Sequence, residues 1–307
     1  MLNKFKAVIP GFDVNALVKS LKDSLSELTA DDLTPRSTPS CELIKVREGS
    51  LPAVFVINGF MSEKEESAQD WLEVVDNLYP DNQVIQVKWK AGNLKDMIFD
   101  KGVVPIIPTG HGKIGFAAML MARSNLLGMI ATAGAYLVDK VMGHWKTSFN
   151  ETRHVALALS SYLEQHKEFE NCILMGHSLG GRIVRHTLNE LTTPNLVSVA
   201  YVFAGAVSSE DEQWEELLEK HSDLKLINCM STKDYVLRSV YKAGTLWNHE
   251  PAGLTPVMDE HEHTLNLDVT EYASGHTKFK QQELGNFLKS ELAMLDEDKL
   301  KLLHLRK

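Results

Sequence analysis

Apolar residues arrive along this chain in two rhythms. Short runs at 43–46, 53–57, 83–89, 172–175, 196–203, 224–229 and 265–269 have the length and composition of strands. Between several of them the spacing lengthens to that of helices. Trp71, Leu72, Val75 and Leu78 mark one apolar stripe over 68–79, and Ile183, Val184, Leu188 and Leu191 mark another over 182–191. Further helices are expected at 154–166, 211–219 and 278–295. The runs at 53–57 and 172–175 are apolar throughout, as strands buried on both faces are. Strands alternating with helices predict an α/β fold with a mainly parallel sheet and helices on both faces.

Two stretches stand outside this alternation. Near the N-terminus, Asp13 is placed to cap a helix with Val14, Leu17, Val18, Leu21, Leu25 and Leu28 on one stripe. Docking on its own domain is the simpler use of such a stripe, and a membrane surface is the other. Pro35 and Pro39 then mark a connection, so 1–40 is set apart from a single domain at 41–307. The second stretch is a helical insertion at about 91–146, where a fold of this kind needs one helix. Its longest uncharged apolar part, 126–138, is 13 residues between Arg123 and Asp139, short of the roughly 20 that span a bilayer. It reads as a buried helical hairpin, a lid or apolar wall suited to acyl chains, or a segment that dips into a membrane.

Composition narrows the function classes. The chain has 307 residues, 44% hydrophobic and 24% charged, with a formal net charge of -9. No dense Lys/Arg cluster offers a surface for nucleic acid. Cys41, Cys172 and Cys229 lack metal-ligand spacing, and the latter two fall inside expected strands as buried thiols. The first ten residues carry no sustained apolar core or small-x-small cleavage site, so no secretory signal is read. A cytoplasmic place is expected, with peripheral membrane contact left open.

Chemistry concentrates at Gly176-His177-Ser178-Leu179-Gly180, between the run at 172–175 and the stripe at 182–191. Strand, sharp turn and helix are the setting of a nucleophile elbow. A Cβ at position 176 or 180 would crowd the strand and helix that meet there. A serine hydroxyl needs a histidine base, itself oriented by a carboxylate. On such sheets the chain order is serine, acid, then histidine, each beyond the carboxyl end of a strand. Asp234 follows the run at 224–229, and His276 follows the last strand. Glu210 and Asp211, one strand earlier, compete for the acid. His261 and His263 compete for the base, although they precede the last strand, and as His-x-His they also resemble a metal pair. The expected oxyanion donors are the N–H of Leu179 and that of Phe60, in the Asn58-Gly59-Phe60 loop after the run at 53–57. His177 is read as a packing or hydrogen-bonding residue within the elbow, not the base, and His186 as structural.

Taken together, these pieces resemble the α/β-hydrolase superfamily. More closely, the chain is similar to the hydrolase-like domains of eukaryotic transmembrane and coiled-coil domain proteins. The pieces that carry this are 54–60, 176–180, 201–206 with Trp214, 227–237, 252–254, and Asp268-Val269 with Gly275-His276, spread over roughly residues 50–290. The resemblance implies an α/β-hydrolase fold and a serine hydrolase with Ser178, Asp234 and His276 as its triad. No segment here clearly spans a bilayer, unlike the anchored members. The expected substrate is a small-molecule or lipid carboxylic ester, with no metal or organic cofactor required. Acyl transfer or thioester cleavage would use the same triad, and a non-catalytic membrane or protein interaction module remains the reading from another class.

Overall fold

The computed structural model describes residues 40–60, 62, 68–92, 135–210, 212–238, 249–258 and 261–305. The stripe at 13–28 and the part of the insertion from 93 to 134 lie outside the described residues. The apolar runs form seven strands: β1 (Cys41–Arg47), β2 (Ser50–Ile57), β3 (Asn82–Trp89), β4 (Cys172–His177), β5 (Val197–Phe203), β6 (Lys225–Met230) and β7 (Thr264–Asp268). They lie side by side in the order β1-β3-β2-β4-β5-β6-β7. Only β1 is antiparallel, paired with β3 at the edge of the sheet. Strands β2 and β4 occupy the middle, where Val54 to Ile57 and Cys172 to Met175 are buried almost completely. That is why both runs carry no polar alternation.

The helices are α1 (Gln69–Leu78), α2 (Ala135–Gln165), α3 (Leu179–Glu190), α4 (Gln213–Lys220) and α5 (Gln282–Leu305). From β2 the chain steps through α1 toward the β1 edge, and from β3 it returns through α2 past β2 to β4. Crossovers between parallel strands are right-handed, so these opposite steps put α1 and α2 on opposite faces. Helix α1 packs with α5, and α2 packs with α3. Phe55 meets Phe169 edge-on at 5.2 Å and Trp71 meets Phe203 at 5.9 Å, all four buried. Each such side chain contributes about 1.5–3 kcal/mol by leaving water. A mixed sheet of this order, wound on both faces, is the α/β-hydrolase fold.

Two helices differ in extent from the periodicity. Helix α2 begins at Ala135, well ahead of the expected 154. Its inward row continues upstream as Trp145, Ser148 and Thr152 before reaching Val155, Leu159 and Leu163. Ser148 and Thr152 are buried but polar, which breaks the apolar stripe that a sequence reading follows. The closing helix starts at Gln282 instead of 278, because His276–Lys278 form a separate 3₁₀ turn and buried Phe279 anchors the strap between them.

The strand order also fixes where loops part. Chain leaves β2 toward one face and β4 toward the other, so the loops beyond their carboxyl ends diverge and leave a crevice. Ser178 follows β4, and Gly59 lies two residues beyond β2, on either side of that crevice.

Candidate active site

Strand β4 ends at His177 and helix α3 begins at Leu179, leaving Ser178 alone to make the turn. It does so at φ 57° and ψ -119°, a conformation that costs a residue with a side chain of order 1–3 kcal/mol. Backbone bonds hold it there: Ser178 N–H donates to Phe203 O at 2.9 Å, and the N–H groups of Gly181 and Ala206 donate to Ser178 O at 3.0 Å each. The flanking glycines admit the close approach. A Cβ on Gly176 would sit 2.3 Å from Gly180 O, and one on Gly180 would sit 2.1 Å from Ile57 O.

The other two side chains arrive from the far side of the sheet. Asp234 lies in the loop after β6 and is fully buried. Its Oδ1 accepts the N–H of Leu237 at 3.0 Å, and its Oδ2 lies 2.6 Å from His276 Nδ1. His276 Nε2 in turn lies 2.9 Å from Ser178 Oγ. With the carboxylate accepting from Nδ1–H, Nε2 is left as the acceptor for the serine hydroxyl. The loops carrying Asp234 and His276 are stitched together: Ser231 Oγ donates to Ala273 O at 2.7 Å, and Thr232 N–H donates to Thr270 Oγ1 at 2.9 Å. An arrangement of this kind can take the serine proton as the oxygen attacks an electrophilic carbon.

The backbone beside Ser178 offers donors. Leu179 is the first residue of α3, so its N–H has no acceptor within the helix and lies at the positive end of the helix dipole. Gly59 presses against the serine from β2, where a Cβ would lie 2.6 Å from Ser178 Cβ and 3.2 Å from its Oγ. Phe60 follows on the same turn, its ring beside Gly92.

Of the competing candidates among the described residues, Glu210, His261 and His263 take no part in this chain of bonds. Glu210 is exposed, its N–H bonded to Ser208 Oγ, while Asp211 falls outside the described residues. His261 and His263 sit before β7, rings 5.8 Å apart. Among the described residues no group of three His, Cys, Asp or Glu side chains is placed to hold a metal. His186 is buried on α3, and burial with three nearby arginines holds it well below the usual imidazole range. Cys172 and Cys229 are buried thiols, and burial pushes Cys172 up to about 12.

Comparison with known proteins places the chain. Residues 41–291 match the family described as "Protein of unknown function (DUF726)". The chain belongs to the DUF726 family. Among curated relatives of this DUF726 chain is "Transmembrane and coiled-coil domain-containing protein STS1" of Oryza sativa subsp. japonica. It is 23% identical over 246 residues, which cover 76% of this chain and 35% of that one. "Uncharacterized membrane protein C6F6.13c" of Schizosaccharomyces pombe is 22% identical over 238 residues, covering 74% and 29%. The DUF726 chain thus spans about a third of the length of these relatives. Among the described residues no helix is long and apolar enough to cross a membrane. Solved structures that overlap it include a lipase-esterase related protein from Clostridium acetobutylicum, with 11% identity, 83% and 98% coverage and a TM-score of 0.40. Est1E from Butyrivibrio proteoclasticus gives 12%, 84%, 94% and 0.38. The strand order and the sharp turn at Ser178 define the fold.

The DUF726 site also holds residues that periodicity does not single out. His177 Nε2–H donates to the carbonyl of His276 at 2.7 Å, with the two rings 4.8 Å apart. Burial, then the charges of His276 and Lys280, push the His177 imidazole well below its usual range, so it stays neutral. A neutral neighbour does not repel a positive charge on His276. The contact joins residues 99 positions apart, so no local pattern announces it.

Proposed function

We propose that this DUF726 domain is a serine hydrolase that cleaves carboxylic esters, acyl and lipid esters among them, through an acyl-serine intermediate. The observation that carries the reading is the unbroken hydrogen-bonded chain from Ser178 Oγ through His276 to buried Asp234. Ser178 Oγ adds to the ester carbonyl as its proton passes to His276 Nε2, and the Asp234 carboxylate stabilises the imidazolium. The N–H groups of Leu179 and Phe60 receive the negative charge that develops on the carbonyl oxygen. As the intermediate collapses, the ester C–O bond breaks and His276 returns the proton to the leaving alcohol. Water then adds to the acyl-serine, giving its proton to His276, and the acid leaves as Ser178 regains a proton.

Peripheral contact with a membrane is part of the proposal, supported by the membrane proteins among the relatives. The test is hydrolysis of p-nitrophenyl esters from acetate to palmitate, with and without liposomes, by wild type and Ser178→Ala. Turnover that vanishes with Ser178 supports the reading, and a preference for long chains identifies lipid esters. A folded wild type that turns over no ester contradicts it, and flotation with liposomes by that inactive protein would favour a membrane interaction module.

A further inference from the structure

We propose that Lys280 is a positioning residue for this reaction: from the strap that carries the base it grips Asn58, and so holds the oxyanion loop against Ser178. The inference rests on the hydrolase reading above. Lys280 lies four residues after His276, and its side chain is 11% exposed. A lysine that deep needs partners. Its Nζ donates to Asn58 Oδ1 at 2.9 Å, pairs with the Asp70 carboxylate at the start of α1, and stands 5.5 Å from the Trp71 ring centre.

Asn58 is the first residue after β2 and directly precedes Gly59. It is buried, and indole donors converge on it. Trp71 Nε1–H donates to Oδ1 at 2.6 Å, and Trp89 Nε1–H donates to the backbone carbonyl at 2.9 Å. The peptide unit is planar, so pinning Asn58 O also fixes the direction of the Gly59 N–H. Gly59 is the residue pressed against the serine. Of these three donors Lys280 alone is charged, and a charge-assisted bond is about twice as strong as a neutral one. It also comes from the strap that bears His276, so it joins the base side of the site to the oxyanion side. A misplacement of about 1 Å at such a site costs about 10²-fold in rate.

A purely structural role, tying the strap to α1 through Asp70, would give a different pattern. The experiment compares wild type, Lys280→Met, Asp70→Asn, Asn58→Ala and the Asn58→Ala/Lys280→Met double variant. Readouts are kcat, KM, the rate constant for labelling by a fluorophosphonate, and Tm. Lys280→Met is expected to lower kcat and the labelling rate ten- to a hundredfold, with KM changed less than threefold. Asp70→Asn is expected to keep kcat within threefold, and the double variant to be no slower than Asn58→Ala. Unchanged kcat in Lys280→Met overturns the inference. Losses that track Tm equally in Lys280→Met and Asp70→Asn do so too. Should Lys280→Met not fold, Lys280→Gln, which keeps an N–H for Asn58 without the charge, is expected to lose at least threefold in kcat, and no loss overturns the proposal. A wild type that is never labelled fails the hydrolase reading and this inference with it. A labelled wild type matched by Lys280→Met fails this inference alone.

Discussion

The two walls that meet at Ser178 are held by different physics. On the β4 side the turn is made by exclusion: Gly176 and Gly180 let backbone pass where any Cβ would lie within 2.3 Å of another residue's backbone oxygen. On the β2 side the loop is held by attraction, with two indoles and an ammonium donating to the two oxygens of Asn58. A wall made by sterics fails by not folding. A wall made by donated hydrogen bonds fails by sitting in the wrong place, and its cost appears in rate before stability.

Variants can break or sharpen that contrast. The largest effect belongs to the groups both walls serve: Asp234→Asn or His276→Ala is expected to lower kcat for ester hydrolysis by about 10³- to 10⁴-fold, read by steady-state kinetics. Gly59→Ala comes next. Its Cβ would meet Ser178 Cβ at 2.6 Å and His177 O at 2.9 Å, so the loop shifts, and a loss of about 10²-fold in kcat/KM is expected. Gly180→Ala, whose Cβ would lie 2.1 Å from Ile57 O and 3.0 Å from Asn58 O, should register as a stability loss toward the upper end of the ~1–3 kcal/mol of overpacking. In thermal denaturation that is a fall of roughly 4–6 °C. Equal rate losses at fixed Tm for both glycine variants would erase the contrast.

Acid should test the β4 wall most gently. His177 and His186 are both held neutral by burial, their folded affinity for protons lying below that of the unfolded chain. Their contribution is complete above the unfolded imidazole value of about 6.5 and is lost as pH falls below it, where the unfolded state takes up protons first. Tm should therefore fall between pH 7.5 and 5.5, and less steeply in His186→Gln. Parallel slopes in wild type and variant would remove His186 from this account.

The same contrast explains what the sequence made legible. An elbow made by exclusion is written locally, in five consecutive residues, and Asp234 and His276 follow from chain order on a sheet whose strands are plain in the apolar runs. The grip on Asn58 is not legible, because Lys280 is 222 positions away in the chain. The partner of His177 is hidden for the same reason: its acceptor is a backbone carbonyl on a distant turn. The upstream part of α2 was hidden by buried Ser148 and Thr152, polar residues on the inward row. Apolar periodicity reports burial, and it is silent wherever burial is satisfied by hydrogen bonds.

The central claim is that Ser178 is an activated nucleophile. The most direct measurement is intact-protein and peptide mass spectrometry of the wild type after reaction with a fluorophosphonate. The account predicts one phosphonyl group per chain, carried on Ser178, absent from Ser178→Ala and formed far more slowly in His276→Ala. A folded wild type that takes up no label, or carries it on another residue, would contradict it.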